Sequence, residues 1–197
     1  MIGIAFAGHA CRCGDPDPAA SSVEAPASAS PPKFVAKPMR SVWPLAGGPQ
    51  LAVLAGQGVG PIRFGATVET IERQMGEKCE VRTPDVCRMI ARALEFELKG
   101  GVVSSIRAFR MDRPAGNDAT GKARTYGVFN GAIPPDLRFG MLPSAIQEHL
   151  GPPKRIEKSN TDGGLVAETH YYDGLVLEYD LLENGNLVLS VMQIVKR

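Results

Sequence analysis

The chain has 197 residues, is 44% hydrophobic and carries a formal net charge of +1. So even a balance of charge lacks the basic excess of a nucleic-acid footprint, and no nucleic-acid partner is expected. No apolar run approaches the roughly 20 residues that a membrane-spanning helix needs.

The N-terminus reads Met1-Ile-Gly-Ile-Ala-Phe-Ala-Gly-His-Ala-Cys11. A short apolar run, small residues and then polar sequence resemble the tail of a signal peptide, without the basic start and longer apolar core of a full one. Two readings follow: a start codon assigned too far downstream in an exported protein, or an ordinary N-terminus. In the exported reading, Cys11 is a candidate lipid anchor. Eight of the 16 prolines fall in the first 50 residues, together with the Ala/Ser/Pro run from Pro18 to Pro32. Too few large apolar side chains are present there to offset the entropy of ordering. Residues 1–45 are therefore expected to be a signal-like remnant and a disordered tether.

Leu51 to Gly60 looks like a strand entering a glycine-rich loop. Its G-x-G-x-G spacing, followed by Pro61, is not the G-x-G-x-x-G that opens directly into a helix, so no dinucleotide site is expected. Ile62-Arg-Phe-Gly-Ala-Thr-Val-Glu-Thr-Ile-Glu-Arg-Gln-Met-Gly76 then lies over Leu137-Arg-Phe-Gly-Met-Leu-Pro-Ser-Ala-Ile-Gln-Glu-His-Leu-Gly151, at an offset of 138 − 63 = 75. Ile71 with Met75, and Ile146 with Leu150, stand one helical turn apart and define a buried stripe. Thr67 caps the first helix, Pro143 suits the first turn of the second, and Gly76 and Gly151 stop both.

Cys79 and Cys87 follow the first helix. They form either a small disulfide loop in an oxidising compartment or two reduced, half-buried thiols. Cys11-x-Cys13 has no second ligand pair, and no metal site is expected.

Each helix is followed by a hairpin: Leu94 to Ile106, and Leu177 to Val191. A three-residue loop at Lys99-Gly-Gly101 aligns Leu94, Phe96 and Leu98 with Val102 and Ile106. The loop Glu183-Asn-Gly185 aligns Leu177, Tyr179 and Leu181 with Leu187, Leu189 and Val191. The opposite face then carries Glu95, Glu97, Ser105 and Arg107 in the first copy and Glu178, Asp180, Ser190 and Met192 in the second. The expected fold class is α+β: a tandem duplication of a short helix plus antiparallel β-meander, with helices on one sheet face. Its expected boundaries are 46–113 for the first repeat, 114–123 for an exposed linker and 124–197 for the second repeat.

The two Arg-Phe-Gly segments, their glycine stops and the meanders that follow resemble the beta-lactamase inhibitor protein family. The single units resemble the small lipoproteins of outer-membrane assembly. The resemblance covers residues 58–110 and 131–195. It implies a disulfide after the first helix, where Cys79 and Cys87 stand, and a non-enzymatic protein that binds another protein through its open sheet surface. The matching positions are structural, so no contact residue carries across.

Glu95, Glu97, Arg107, Tyr171, Tyr172, Glu178 and Asp180 are the candidate partner-binding residues. Carboxylates on an outward sheet face, and aromatics in loops or short strands (Tyr171 and Tyr172, with Tyr126 and Phe129), suit a protein interface. His149 and His170, with Glu148 or Glu168, are weak candidates for an acid–base or metal pair; they underlie the alternative of a small hydrolase or ligand-binding protein with a cavity between the repeats. No catalytic motif and no cofactor are expected. The functional expectation is an exported or envelope-associated protein, periplasmic or tethered to the outer membrane, that binds or inhibits another protein.

Overall fold

The computed structural model describes residues 51–117, 120–134, 136–161 and 164–197. The chain divides into two units, Met1–Ala36 and Lys37–Arg197, and every described residue lies in the second. Cys11 and the 1–45 tether lie outside the described residues.

The first strands are short: β1 (Leu51–Leu54), β2 (Gly58–Val59) and β3 (Ile62–Arg63). Helix α1 (Val68–Met75) begins where Thr67 Oγ1 accepts the Thr70 amide and ends at Gly76, whose φ of 74° and ψ of 13° are left-handed. The chain continues through β4 (Val81–Arg82), β5 (Val86–Met89), a single 3-10 turn (Ile90–Arg92), β6 (Leu94–Lys99) and β7 (Val102–Phe109). A second set runs β8 (Pro114–Asn117), β9 (Ala123–Thr125), β10 (Gly131–Ala132) and α2 (Pro143–Leu150). The last four strands are β11 (Arg155–Thr161), β12 (Gly164–Tyr172), β13 (Leu175–Leu181) and β14 (Leu187–Val195).

This corrects the α+β expectation: the protein is mostly β, built on large antiparallel sheets. Its α-helices are eight residues each, about two turns, while segments read as loop or linker carry strands of their own. Residues 51–63 make β1–β3, and the segment expected as an exposed linker carries β8 and the start of β9. Helices this short are held by packing rather than by propensity. Val68, Ile71 and Ile146 are buried in the same cluster as Phe96, Ile106, Leu177 and Ile194.

The main sheet has eight antiparallel strands in the order β11-β12-β13-β14-β7-β6-β5-β4. It is two four-stranded meanders joined edge to edge where β14 pairs with β7, with Ile194 opposite Ile106 and Gln193 opposite Arg107. A smaller sheet, β10-β1-β2-β3, pairs β1 with β10 in parallel. It is tied to the main sheet where the Gly56 amide donates to Gly174 O at 2.9 Å. A Cβ on Gly174 would stand 2.4 Å from the Gly56 nitrogen, so this approach requires glycine. The disulfide Cys79–Cys87, with Cα atoms 5.4 Å apart, fastens the segment after α1 to β5.

Both hairpin registers contain a feature that alternation alone does not reveal. In the first, Lys99 pairs with Val102, so the loop is the two residues Gly100 and Gly101, both at positive φ, and not the expected three. A two-residue loop would turn Ile106 to the charged face. The bulge after Val103 inserts Ser104 and restores Phe96 opposite Ile106. In the second hairpin, Leu182 donates to Asn186 O and closes the loop over Glu183–Gly185, with Gly185 at φ 80°. There the bulge inserts Ser190, so Leu177 faces Met192 instead of the expected Val191. Met192 thereby moves from the expected open face to the core face, where it is fully buried. The two inserted serines do the same work. Ser104 Oγ donates to Glu97 O at 3.2 Å, and Ser190 Oγ donates to Glu178 O at 3.1 Å.

Candidate functional site on the sheet face

Register and alternation sort the candidates onto two faces. One row of Cα partners on the core face runs Leu94, Ala108, Met192, Leu177, His170, Ile156 across six strands. On the other face the matching row is Arg88, Glu95, Arg107, Gln193, Val176, Tyr171, Arg155. The next row there is Phe109, Val191, Glu178, Thr169, Glu157. Six of the seven partner-binding candidates share this second face: Glu95, Glu97, Arg107, Glu178, Asp180 and Tyr171. Tyr172 alternates to the core face, opposite Leu175.

The face is not open along its whole length. Above β6 and β7 it is covered by the segment that returns from β9. Tyr126 stacks on Phe109 with ring centroids 4.1 Å apart, and its hydroxyl donates to Glu95 Oε2 at 3.2 Å. Glu95 is thereby buried, with Arg88 as its ion-pair partner. Burial and the facing Glu95 carboxylate push the Tyr126 phenol up to about 12. The sequence places Tyr126 in a loop or short strand, and this cover over Glu95 is not expected from it. The signal was the pairing of an aromatic on an outward strand position, Phe109, with a second aromatic just beyond the linker.

From β7 across to β11 the row Arg107, Gln193, Val176, Tyr171 and Arg155 is half-buried to exposed, while Phe109 and Val191 in the next row are buried. Arg107 lies 3.1 Å from Glu178, and Arg113 reaches over from the β7–β8 connection to Asp180 at 2.9 Å and Glu178 at 3.7 Å. Arg113 also donates to Ser190 Oγ, the bulge serine. At the far edge, the Arg155 guanidinium lies 3.9 Å from the centroid of the Tyr171 ring and 3.0 Å from Glu157. The Tyr171 hydroxyl donates to the same Glu157, and that hydrogen bond raises its phenol above the ordinary range. Arginine and tyrosine are thus held in fixed orientations on a sheet surface. Between these two clusters stand Gln193 and Val176, both half-buried.

The other candidates lie elsewhere. Glu168 and His170 come together on the core face, with Nε2 3.0 Å from Oε2, and Lys158 lies 3.1 Å from the same carboxylate. Burial works to raise the Glu168 carboxyl, but its hydrogen bonds to His170 and Lys158 outweigh that and hold it below the usual value. His170 is 1% exposed and tilts against Tyr179 with ring centroids 4.6 Å apart. The pair is sealed into the sheet, where it joins β11, β12 and β13. His149 is exposed on α2. Among the described residues no group of three or more His, Cys, Asp or Glu is placed to hold a metal ion, and no helix is long and apolar enough to cross a membrane.

The chain matches no protein-family model, no curated protein and no solved structure.

Proposed function

We propose that this chain is a non-catalytic protein of an oxidising, exported compartment that binds another protein through the uncovered part of its main sheet, from β7 to β11. The observation that carries the reading is the half-exposed surface of Arg107, Gln193, Val176, Tyr171 and Arg155, which crosses five strands. Arginine and tyrosine are the residue types that dominate interface energetics. Here their orientations are set in advance by Glu178 and Glu157, which lowers the entropy cost of engaging a partner. The disulfide after α1 supports the oxidising compartment. The resemblance to the beta-lactamase inhibitor protein points to the same mode of action, an inhibitory or assembly partner held on a sheet face.

The test is affinity capture from the native cell with the wild-type chain and three variants. Tyr171→Ala and Arg107→Ala are each expected to weaken capture of the same partner by about 30-fold, the loss typical of a hot-spot truncation. Glu69→Ala, at an exposed position of α1, is expected to leave it unchanged. Capture that resists both face substitutions would refute the reading.

A further inference from the structure

The eight-stranded sheet ends on β11, and among the described residues no strand pairs with its outer edge. A seven-residue strand with unpaired backbone is a template for another strand. Among the described residues Ile156 is the most exposed large hydrophobic residue, at 44%, and it terminates the core-face row that begins at Leu94. That row is buried at Leu94, Ala108, Met192, Leu177 and His170 and then ends half-open at the edge.

We infer that the occupant of this edge is a second copy of the same chain, paired antiparallel through β11 about a twofold axis at Ile156. Charge and the exposed Ile156 together favour this partner and register: centring on Ser159 or Asn160 also avoids like charges on the axis, but does not bring the two Ile156 side chains together. A continuous sheet that keeps its two faces requires each residue to meet one of the same parity. Centring the pair on Lys154, Arg155, Glu157 or Lys158 would place two like charges directly on the axis, which is destabilising. Centring on Ile156 places two isoleucines on the axis and sets Arg155 opposite Glu157 of the second copy, twice, which extends the Arg155–Glu157 pair that each chain already makes at 3.0 Å into an alternating network. Beyond them Lys154 meets Lys158, but each lysine is already neutralised within its own chain, Lys154 by Asp173 at 3.3 Å and Lys158 by Glu168 at 3.1 Å. The result is one sheet spanning both copies, with the two Ile156 side chains closing the core-face row and the two open faces running together.

The register makes a direct test available in the full-length chain with Cys11→Ser and Cys13→Ser. Residues directly opposed in an antiparallel pair have Cα atoms about 4.5–5.5 Å apart, within the range that a disulfide spans. Ile156→Cys is therefore expected to form a covalent dimer in the absence of reductant. Val166→Cys, similarly exposed at 40% but on β12, is not. By sedimentation the wild-type chain is expected to show a concentration-dependent dimer, Glu157→Arg a monomer, and the swap Arg155→Glu with Glu157→Arg a restored dimer. Circular dichroism confirms that each variant is folded. The inference is overturned if the wild-type chain stays monomeric at the highest soluble concentration. It is equally overturned if Ile156→Cys crosslinks no better than Val166→Cys, or if the charge swap fails to restore what the single reversal removes. A wild-type chain that stays monomeric yet still captures the external partner would overturn this inference alone and leave the proposed function standing.

Discussion

Truncating the seam between the two meanders tests whether they form one cooperative sheet. Ile106 and Ile194 are Cα partners across β7 and β14, and both are fully buried. Ile194→Ala removes three carbons, about 2.4 kcal/mol at ~0.8 kcal/mol per buried methylene. The cavity left in a packed interior raises the total into the range of about 2–5 kcal/mol. Ile106→Ala should cost a similar amount. Because the two side chains oppose each other directly, the double variant should fall short of the sum by about 0.5–3 kcal/mol. The assay is urea unfolding followed by circular dichroism and by tyrosine fluorescence, on wild type, both single variants and the double. One transition common to both probes is expected, with a clear coupling term. Two separated transitions, or additivity within about 0.5 kcal/mol, would refute a continuous sheet and leave two independently stable halves.

Reduction of Cys79–Cys87 should lower stability by about 2–3 kcal/mol, the value that chain entropy gives for so short a loop, read as a shift in urea midpoint with and without dithiothreitol. Ser190→Ala removes a buried hydroxyl that bonds Glu178 O and accepts from Arg113, and should cost about 1–3 kcal/mol, whereas Ser104→Ala at its exposed bulge should cost less than about 0.5 kcal/mol in the same assay. On the alkaline side, the folded Tyr126 phenol titrates near 12 against about 10 when unfolded, so the unfolded chain releases its proton first. Stability from this group is complete below pH 10 and declines as the pH rises from about 10 to 12; Tyr126→Phe should reduce that decline in thermal melts across this range. On the acid side, Glu168 and Glu80 are held below their usual values, so their contribution is present above the ordinary carboxylate range and fades as the pH falls through their folded values, with Glu168→Gln flattening the acid limb.

The parts of the fold that were legible in the sequence are those governed by local rules. Thr67 acts at a helix end through its side-chain hydroxyl, Gly76 and Pro143 act there through their own backbones, and Ile71 and Ile146 were placed in the core by helical spacing alone. The parts that were not legible depend on one extra residue or one distant partner. A period of two assigns faces correctly until a bulge, and nothing local distinguishes Ser104 or Ser190 from an ordinary outward serine. One inserted residue was enough to send Met192 to the core, whereas Tyr171 and Tyr172 part by plain alternation along β12. The strands β2, β3 and β10 are two residues long, too short for any periodic signal, so the β content was underestimated and the helices were given too large a share. The return of Tyr126 over Glu95 is a contact across 31 positions that covers half of an otherwise correctly placed face.

The central claim is that the face from β7 to β11 is the one offered to a partner, and the chain's four tyrosines report on it directly. Tyr126 and Tyr179 are buried and the Tyr172 hydroxyl is enclosed, while Tyr171 stands on the half-exposed face. Tyrosine nitration of the native protein, mapped by mass spectrometry with and without the captured partner, should modify Tyr171 first and should lose that modification when the partner is bound. Nitration of Tyr171 at an undiminished rate in the complex would contradict the account.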